Sequence, residues 1–200
     1  MNTDIIVHPT LQHVGLTTPN LDAMLDWYHK TIGVTVNKRV SVPAGRAPFT
    51  AVAFASNDEV NHRMSFFEVP EATIDADRSR HARVQHIAFA YETLDDLLGT
   101  YVRLKKLGMM PMWAADQSFQ TAIYYEDPDK NILELNVDNF TNVWAVTEQL
   151  KDLPSQLHVF IDPEKLVEAR KAGASPWEIH QRAFAGEFLP PEKYDVGKTY

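Results

Sequence analysis

The chain has 200 residues, a formal net charge of −8 and no cysteine. Disulfides, thiolate-bound zinc and iron–sulfur clusters are therefore excluded, and any metal must sit on histidine and carboxylate. Hydrophobic residues make up 44% and charged residues 23%; that globular, acidic balance, without a basic stripe, argues against nucleic acid or an anionic membrane as partner.

The start of the chain, MNTDIIVHPT, lacks a basic segment followed by an apolar run, so no signal peptide is expected. No apolar stretch reaches the roughly 20 residues of a membrane span. The expectation is a cytoplasmic protein, with a homo-oligomer left open.

The chain repeats itself with an offset of 73 residues, Leu11 falling on Val84. LQHVGLTTPNLDAMLDWY is matched by VQHIAFAYETLDDLLGTY: Gln12 by Gln85, His13 by His86, Tyr28 by Tyr101. Each copy reads as strand, turn and helix. Asn20 and Thr93 are the expected N-caps. Leu21, Met24 and Leu25, like Leu94, Leu97 and Leu98, recur at the spacing of one helix face. Gly33 and Gly108 stand where a helix C-cap favours glycine.

Three strands follow in each copy. The first copy places them at 35–42, 49–55 and 62–69, the second at 110–114, 121–126 and 132–137. The segment Glu126-Asp-Pro-Asp-Lys-Asn131 has turn chemistry throughout. The expected fold class is α+β: two βαβββ modules, about 5–72 and 80–140, whose apolar sheet faces complete one closed or nearly closed sheet lining a metal cleft. Residues 141–200 form an appendage. Helices are expected over 142–150, 163–172 and 175–184, the last with Ser175 as cap and Pro176 at the first helical position. An extended end, FLPPEKYDVGKTY, follows. The appendage either covers the cleft or meets a second subunit.

Three residues point to a metal. His13 and His86 hold the same position in the two copies, and pseudo-symmetric packing brings equivalent residues together. Glu134 is a carboxylate inside the apolar strand Ile132-Leu-Glu-Leu-Asn-Val137, where a buried charge needs a cation, an exposed face or a proton. Two histidines and one carboxylate form a facial set that leaves coordination sites open, as in non-haem Fe(II) oxygenases. The same ligands suit Mn(II).

The motifs QHVGL and QHIAF, each with its helix, and YYEDPDKNILEL resemble those of the vicinal oxygen chelate superfamily. That superfamily includes glyoxalase I, fosfomycin and bleomycin resistance proteins, methylmalonyl-CoA epimerase and type I extradiol dioxygenases. The resemblance spans about 5–140. Lys130 stands where the family's DPDGN turn has glycine.

The resemblance is nearest to the extradiol, catechol 2,3-dioxygenase-like branch. Glyoxalase I-like sites add a fourth ligand on the last strand of the first module; the positions from Met64 to Phe66 carry no carboxylate or amide, and Glu68 reads as out of register. Asn61-His62-Arg63 resembles the extradiol segment whose histidine acts as acid and base. Tyr124 falls where that pattern has a tyrosine on the substrate oxygen, while Tyr125 points the other way. The resemblance implies an Fe(II)- and O2-dependent cleavage of a small aromatic vicinal diol, with His62 and Tyr124 catalytic. Phe54, Met64, Phe66 and Trp113 are expected to shape the pocket, His62 sharing the strand face of Met64 and Phe66. One departure is plain: the histidine that usually precedes the tyrosine is absent, and Asp116, Gln117 and Gln120 are the polar residues on hand. His8, His29, His81, His158 and His180 lack repeat partners. Two rivals remain: a metal-dependent isomerase or lyase of the glyoxalase type, needing Glu68, and a protein that binds or sequesters a small aromatic compound.

Overall fold

The computed structural model describes residues 6–75, 77–151 and 158–198. The expected first residue of the first module and the last two of the extended end lie outside the described residues. The chain divides into two compact units, Met1–Ile74 and Asp75–Tyr200. No helix among the described residues is long and apolar enough to cross a membrane.

The first unit is βαβββ: β1 (Val14–Thr18), α1 (Leu21–Ile32), β2 (Thr35–Ser41), β3 (Ala51–Ser56) and β4 (Met64–Glu68). The sheet order is β1-β4-β3-β2, with β1 parallel to β4 and the other pairs antiparallel. Asn20 caps α1 through Ala23 N, and Gly33 closes it at φ 73°, a left-handed conformation that glycine adopts without steric cost. Leu21, Met24, Tyr28 and Thr31 form the buried stripe of α1. The edge strand β2 is exposed along its whole length and carries Lys38 and Arg39. Charge on an exposed edge opposes pairing with another chain.

The second unit repeats the plan: β5 (Ile87–Tyr91), α2 (Leu94–Lys106), β6 (Trp113–Asp116), β7 (Gln120–Glu126) and β8 (Ile132–Asp138). Its sheet runs β5-β8-β7-β6-β9. Thr93 caps α2 through Asp96 N. Leu107 is its C-cap, and Gly108 follows at φ 77°. Leu97 and Leu104 are fully buried, each contributing about 1.5–3 kcal/mol. Each module thus forms its own hydrogen-bonded sheet, in an α+β arrangement.

The C-terminal residues belong to the second unit. They comprise α3 (Val143–Lys151), β9 (Val159–Phe160), α4 (Pro163–Lys171) and α5 (Pro176–Phe184), with a short 3-10 turn at Val196–Lys198 inside the expected extended end. The two-residue β9 was not expected; it pairs antiparallel with β6, Ala115 opposite Phe160. Helix α4 is tied to α2 by Arg170 on Asp95, at 2.7 and 2.9 Å, and by Glu164 on Tyr101 and Lys105. Ser175 and Glu178 close a full capping box on α5, with Pro176 in the first turn.

The turn at Lys130 is formed at a cost. Lys130 has φ 69°, and its N–H still reaches Asp127 O at 3.0 Å. A non-glycine residue there costs about 1–2 kcal/mol, while the half-exposed pair with Glu126 returns about 0.3–0.5 kcal/mol. Lys130→Gly is therefore expected to stabilise the protein by about 0.5–1.7 kcal/mol in urea unfolding. A loss of stability would show that the turn is not strained.

Candidate active site

Strand register decides which side chains face away from the helices. In the first sheet Ala53 pairs with Phe66, and Ala55 with Met64. Phe66 packs on Tyr28 of α1 at a ring distance of 5.2 Å. Met64 and Phe66 are fully buried and, by alternation, share the face under α1. They are helix-side core, which corrects their assignment to the substrate pocket. The opposite face carries Gly15, Phe54, Ser65 and Phe67.

His62 precedes β4 and does not follow its alternation. Its ring lies 4.4 Å from that of His13 and 5.1 Å from that of Phe54. The structure thus places His62 beside His13, although the argument from a shared face with Met64 and Phe66 fails. Phe54 is half-buried against His62. His62 Nδ1 contacts Asn61 Oδ1.

The register also identifies the module-one counterpart of Glu134. Glu134 pairs with Ala88, and Ser65 pairs with Gly15, the repeat-equivalent of Ala88. The fourth-ligand position is thus Ser65. Glu68 lies on the helix side: its Oε1 accepts from Leu21 N at 3.3 Å and its Oε2 from Thr50 Oγ1 at 3.1 Å. It braces the start of α1. Glu68→Ala is expected to cost about 0.5–1 kcal/mol of stability while leaving bound metal, measured per chain, unchanged. Loss of the metal would return Glu68 to the ligand set.

In the second unit the face turned from α2 holds a cleft of about 410 Å³ lined by Gln85, His86, Ala88, Phe119, Tyr124 and Asn136, together with Gln117, Gln120 and Glu134. His86 Nε2 stands 2.9 Å from Glu134 Oε2. Two donors bound about 2.1 Å from one ion at a right angle lie roughly 3 Å apart, so the pair has the spacing of adjacent ligands. His86 Nδ1 contacts Gln85 Oε1, which leaves Nε2 for the cleft. Glu134 is 2% exposed. Its Oε1 accepts from Gln120 Nε2 at 2.7 Å and Asn136 Nδ2 at 2.8 Å, so Oε2 is the oxygen turned to His86. Burial pushes the carboxyl up. Hydrogen bonds from His86, Asn136 and Tyr124, with the charge of His86, outweigh that and hold it below the usual glutamate value.

Tyr124 pairs with Glu134 across the β7–β8 ladder. Trp113 stacks on it at 3.6 Å and 15°. Trp113 is 1% exposed and stands behind Tyr124, so its expected place in the pocket wall is corrected to support of that ring. Phe119, Gln117, Gln120 and Asn136 line the cleft instead. Asn136 had a signal in the sequence: it lies two residues after Glu134 and so on its strand face. Tyr125 is buried on the opposite side, its hydroxyl without a hydrogen-bond partner among the described residues and its proton held tightly by burial.

The other unpaired histidines divide. His158 packs on Trp113 and Phe160 at 6.1 and 4.7 Å, and burial lowers its basicity. His180 is 8% exposed and hydrogen-bonds the fully buried Asp116 at 2.8 Å, on the strand face opposite Trp113. Asp116 therefore makes no cleft contact.

Of the expected metal ligands, His86 and Glu134 come together in the second unit, and His13 stands with His62 in the first. Among the described residues no group of three or more His, Asp or Glu side chains gathers in metal-binding range. The paired donors are nitrogen and carboxylate oxygen, a set suited to Fe(II) or Mn(II).

The chain is similar to known proteins along most of its length. The chain is 31% identical over 182 residues to biphenyl-2,3-diol 1,2-dioxygenase 3 of Rhodococcus globerulus, covering 90% of this chain and 91% of the relative. It is also 31% identical over 185 residues to biphenyl-2,3-diol 1,2-dioxygenase 2 of the same organism, covering 91% and 92%. The fold is similar to a glyoxylase/bleomycin resistance protein/dioxygenase domain from Frankia sp. EAN1pec, with TM-score 0.56 and 22% identity over 66% of this chain and 93% of that one. Residues 10–135 match the Glyoxalase family, and the chain belongs to the glyoxalase/bleomycin resistance protein/dioxygenase superfamily.

Proposed function

We propose that this protein is an extradiol-type dioxygenase that uses Fe(II) and O2 to cleave a catechol-like aromatic vicinal diol. Its metal ligands are His13, His86 and Glu134, with Mn(II) as the alternative ion, and His62 and Tyr124 are catalytic. The observation that carries this reading is the cleft: His86 and Glu134 at ligand spacing, with Tyr124 hydrogen-bonded to the same carboxylate. Similarity to two biphenyl-2,3-diol dioxygenases along nine-tenths of the chain supports the reaction class. The glyoxalase-type alternative loses support because Ser65 holds the fourth-ligand position and Glu68 serves α1.

Fe(II) bound to the ligand set supplies Lewis acidity toward the diol and electrons toward O2. The protein supplies the rest. On diol binding Tyr124 turns its one hydroxyl hydrogen from Glu134 to a substrate oxygen, and the stacked Trp113 fixes the ring that carries it. His62 takes a proton from the diol and returns it as the ring opens, work suited to an imidazole. Phe119 gives apolar wall in the cleft of the second unit, and Phe54, packed on His62 in the first, is the other aromatic residue assigned to substrate.

The test is direct. Protein loaded anaerobically with Fe(II) is mixed with 2,3-dihydroxybiphenyl and a series of catechols in oxygenated buffer, following oxygen uptake and the yellow absorbance of a ring-opened product. Uptake with at least one diol is expected. No uptake with any vicinal diol overturns the dioxygenase assignment.

A further inference from the structure

Helix α3 is turned inside out. None of its nine residues is buried. Gln149 faces the protein and donates to Ser118 Oγ at 2.6 Å. Val143, Trp144 and Leu150 are exposed, Trp144 by 78%. Helical spacing sets Val143, Thr147 and Leu150 on one outward stripe with Trp144 beside it, and Lys151, two turns on, lies in line with Trp144. A surface helix ordinarily buries its large apolar residues and exposes its glutamine.

The same unit holds an open cavity of about 550 Å³. Leu94, Val137, Phe140 and Trp177 give it an apolar lining, and Phe140 sets its edge against Trp177 at a ring distance of 5.5 Å. The exposed carboxylates of Glu92 and Asp138 give it negative charge. Val137 alternates with Glu134 and Asn136, so the cavity opens on the helix side of the sheet, away from the metal cleft. Thr141 lines it as well, and the three residues from there to Trp144 span at most about 11 Å. An exposed indole and an unfilled apolar cavity thus adjoin on one surface.

We propose that this surface is a two-fold interface between two copies of the chain, Trp144 of each filling the cavity of the other. Size, charge and symmetry commit it to a second copy. Cavities of roughly 300–1,000 Å³ take groups as large as a small ligand, so an indole is accommodated. The inserting side carries the exposed cation of Lys151, and the receiving side carries Glu92 and Asp138, so insertion brings opposite charges together. Because the two features adjoin, one two-fold axis satisfies both insertions and closes the assembly, whereas features on opposite sides of the molecule would give an open chain.

The area is sufficient. A buried tryptophan removes about 150–250 Å² from solvent. Two insertions, with the walls they cover, reach roughly 600–1,000 Å², and Val143 and Leu150 at the margin bring the contact to the ~1,000 Å² of a specific interface. Binding energy concentrates in aromatic residues seated in such pockets. The interface stands apart from the diol reaction.

Sedimentation equilibrium of the full chain tests it. Wild type is expected to be dimeric at about 100 μM, where a dimer of micromolar Kd is nearly complete. Trp144→Ser is expected to weaken the dimer at least about 30-fold and, the side chain being exposed in the single chain, to fold normally. Thr141→Trp fills the cavity from its own chain and is expected to weaken the dimer likewise. Lys151→Glu is expected to weaken it about 3-fold. The chain has no cysteine, so single cysteines report the geometry. Lys151→Cys mixed with Asp138→Cys is expected to cross-link through a short bismaleimide more than either variant alone. A monomeric wild type at that concentration leaves the face to another partner and overturns the proposal. A dimer unmoved by Trp144→Ser and Thr141→Trp, or like cysteines cross-linking as well as unlike ones, overturns it too.

Discussion

Glu134→Ala is expected to abolish metal retention and oxygen uptake together. Oε2 of this residue stands 2.9 Å from His86 Nε2, and Oε1 is held by two amides, so alanine removes both a donor and the group that orders Gln120 and Asn136. One metal–oxygen interaction worth several kcal/mol corresponds to at least about 10³-fold in affinity. Iron measured after anaerobic desalting should fall from near one per chain in wild type to background, and His86→Ala and His13→Ala should do the same. Retention of stoichiometric iron by all three would remove these residues from the ligand set. The variant should still fold. It leaves the helix-side core of Leu133, Leu135 and Ile123 untouched, and His86, partly open to solvent, can be rehydrated.

His180→Leu is expected to be the most destabilising single change in the C-terminal region. Asp116 is fully buried, and its Oδ2 lies 2.8 Å from His180 Nδ1. The leucine removes that partner and leaves, among the described residues, a buried carboxylate with Ser118 N, Asn139 and Thr121. Breaking one side of a buried pair costs about 3–5 kcal/mol, and the remaining partners place this case near about 3 kcal/mol. Urea unfolding should show that loss, and Tm should drop by about 6–12 °C. Asp116→Asn combined with His180→Leu should be less destabilised than His180→Leu alone, because the asparagine carries no charge to strand. Stability within about 0.5 kcal/mol of wild type for His180→Leu would show that the Asp116–His180 pair does not hold the C-terminal region in place. The result also bears on the cleft, since Asp116 Oδ1 holds the Ser118 turn from which Gln117 and Gln120 reach Glu134 and Tyr124.

The amino-acid sequence by itself determined the plan of the molecule. The offset repeat marked two βαβββ modules, and the caps Asn20, Thr93 and Ser175 began their helices as local chemistry dictates. It also isolated His13 and His86, because an internal repeat equates positions without knowing where they lie, and Glu134, because a carboxylate inside an apolar strand needs a partner. What it could not decide was direction. A period of two states that Met64 and Phe66 share a face, not that the face is the one α1 covers; that follows only from where Tyr28 packs. The same packing sent Glu68 to the start of α1 and put Ser65, not a carboxylate, opposite Gly15. His62 reached His13 because it lies before β4 and escapes its alternation. The Gln120–Glu134 and Asp116–His180 pairs depend on contacts across the chain, 64 residues apart for the second. Such contacts carry no local signature: a glutamine or histidine in a sequence states which hydrogen bonds it can make, and only the tertiary structure selects the partner that satisfies them.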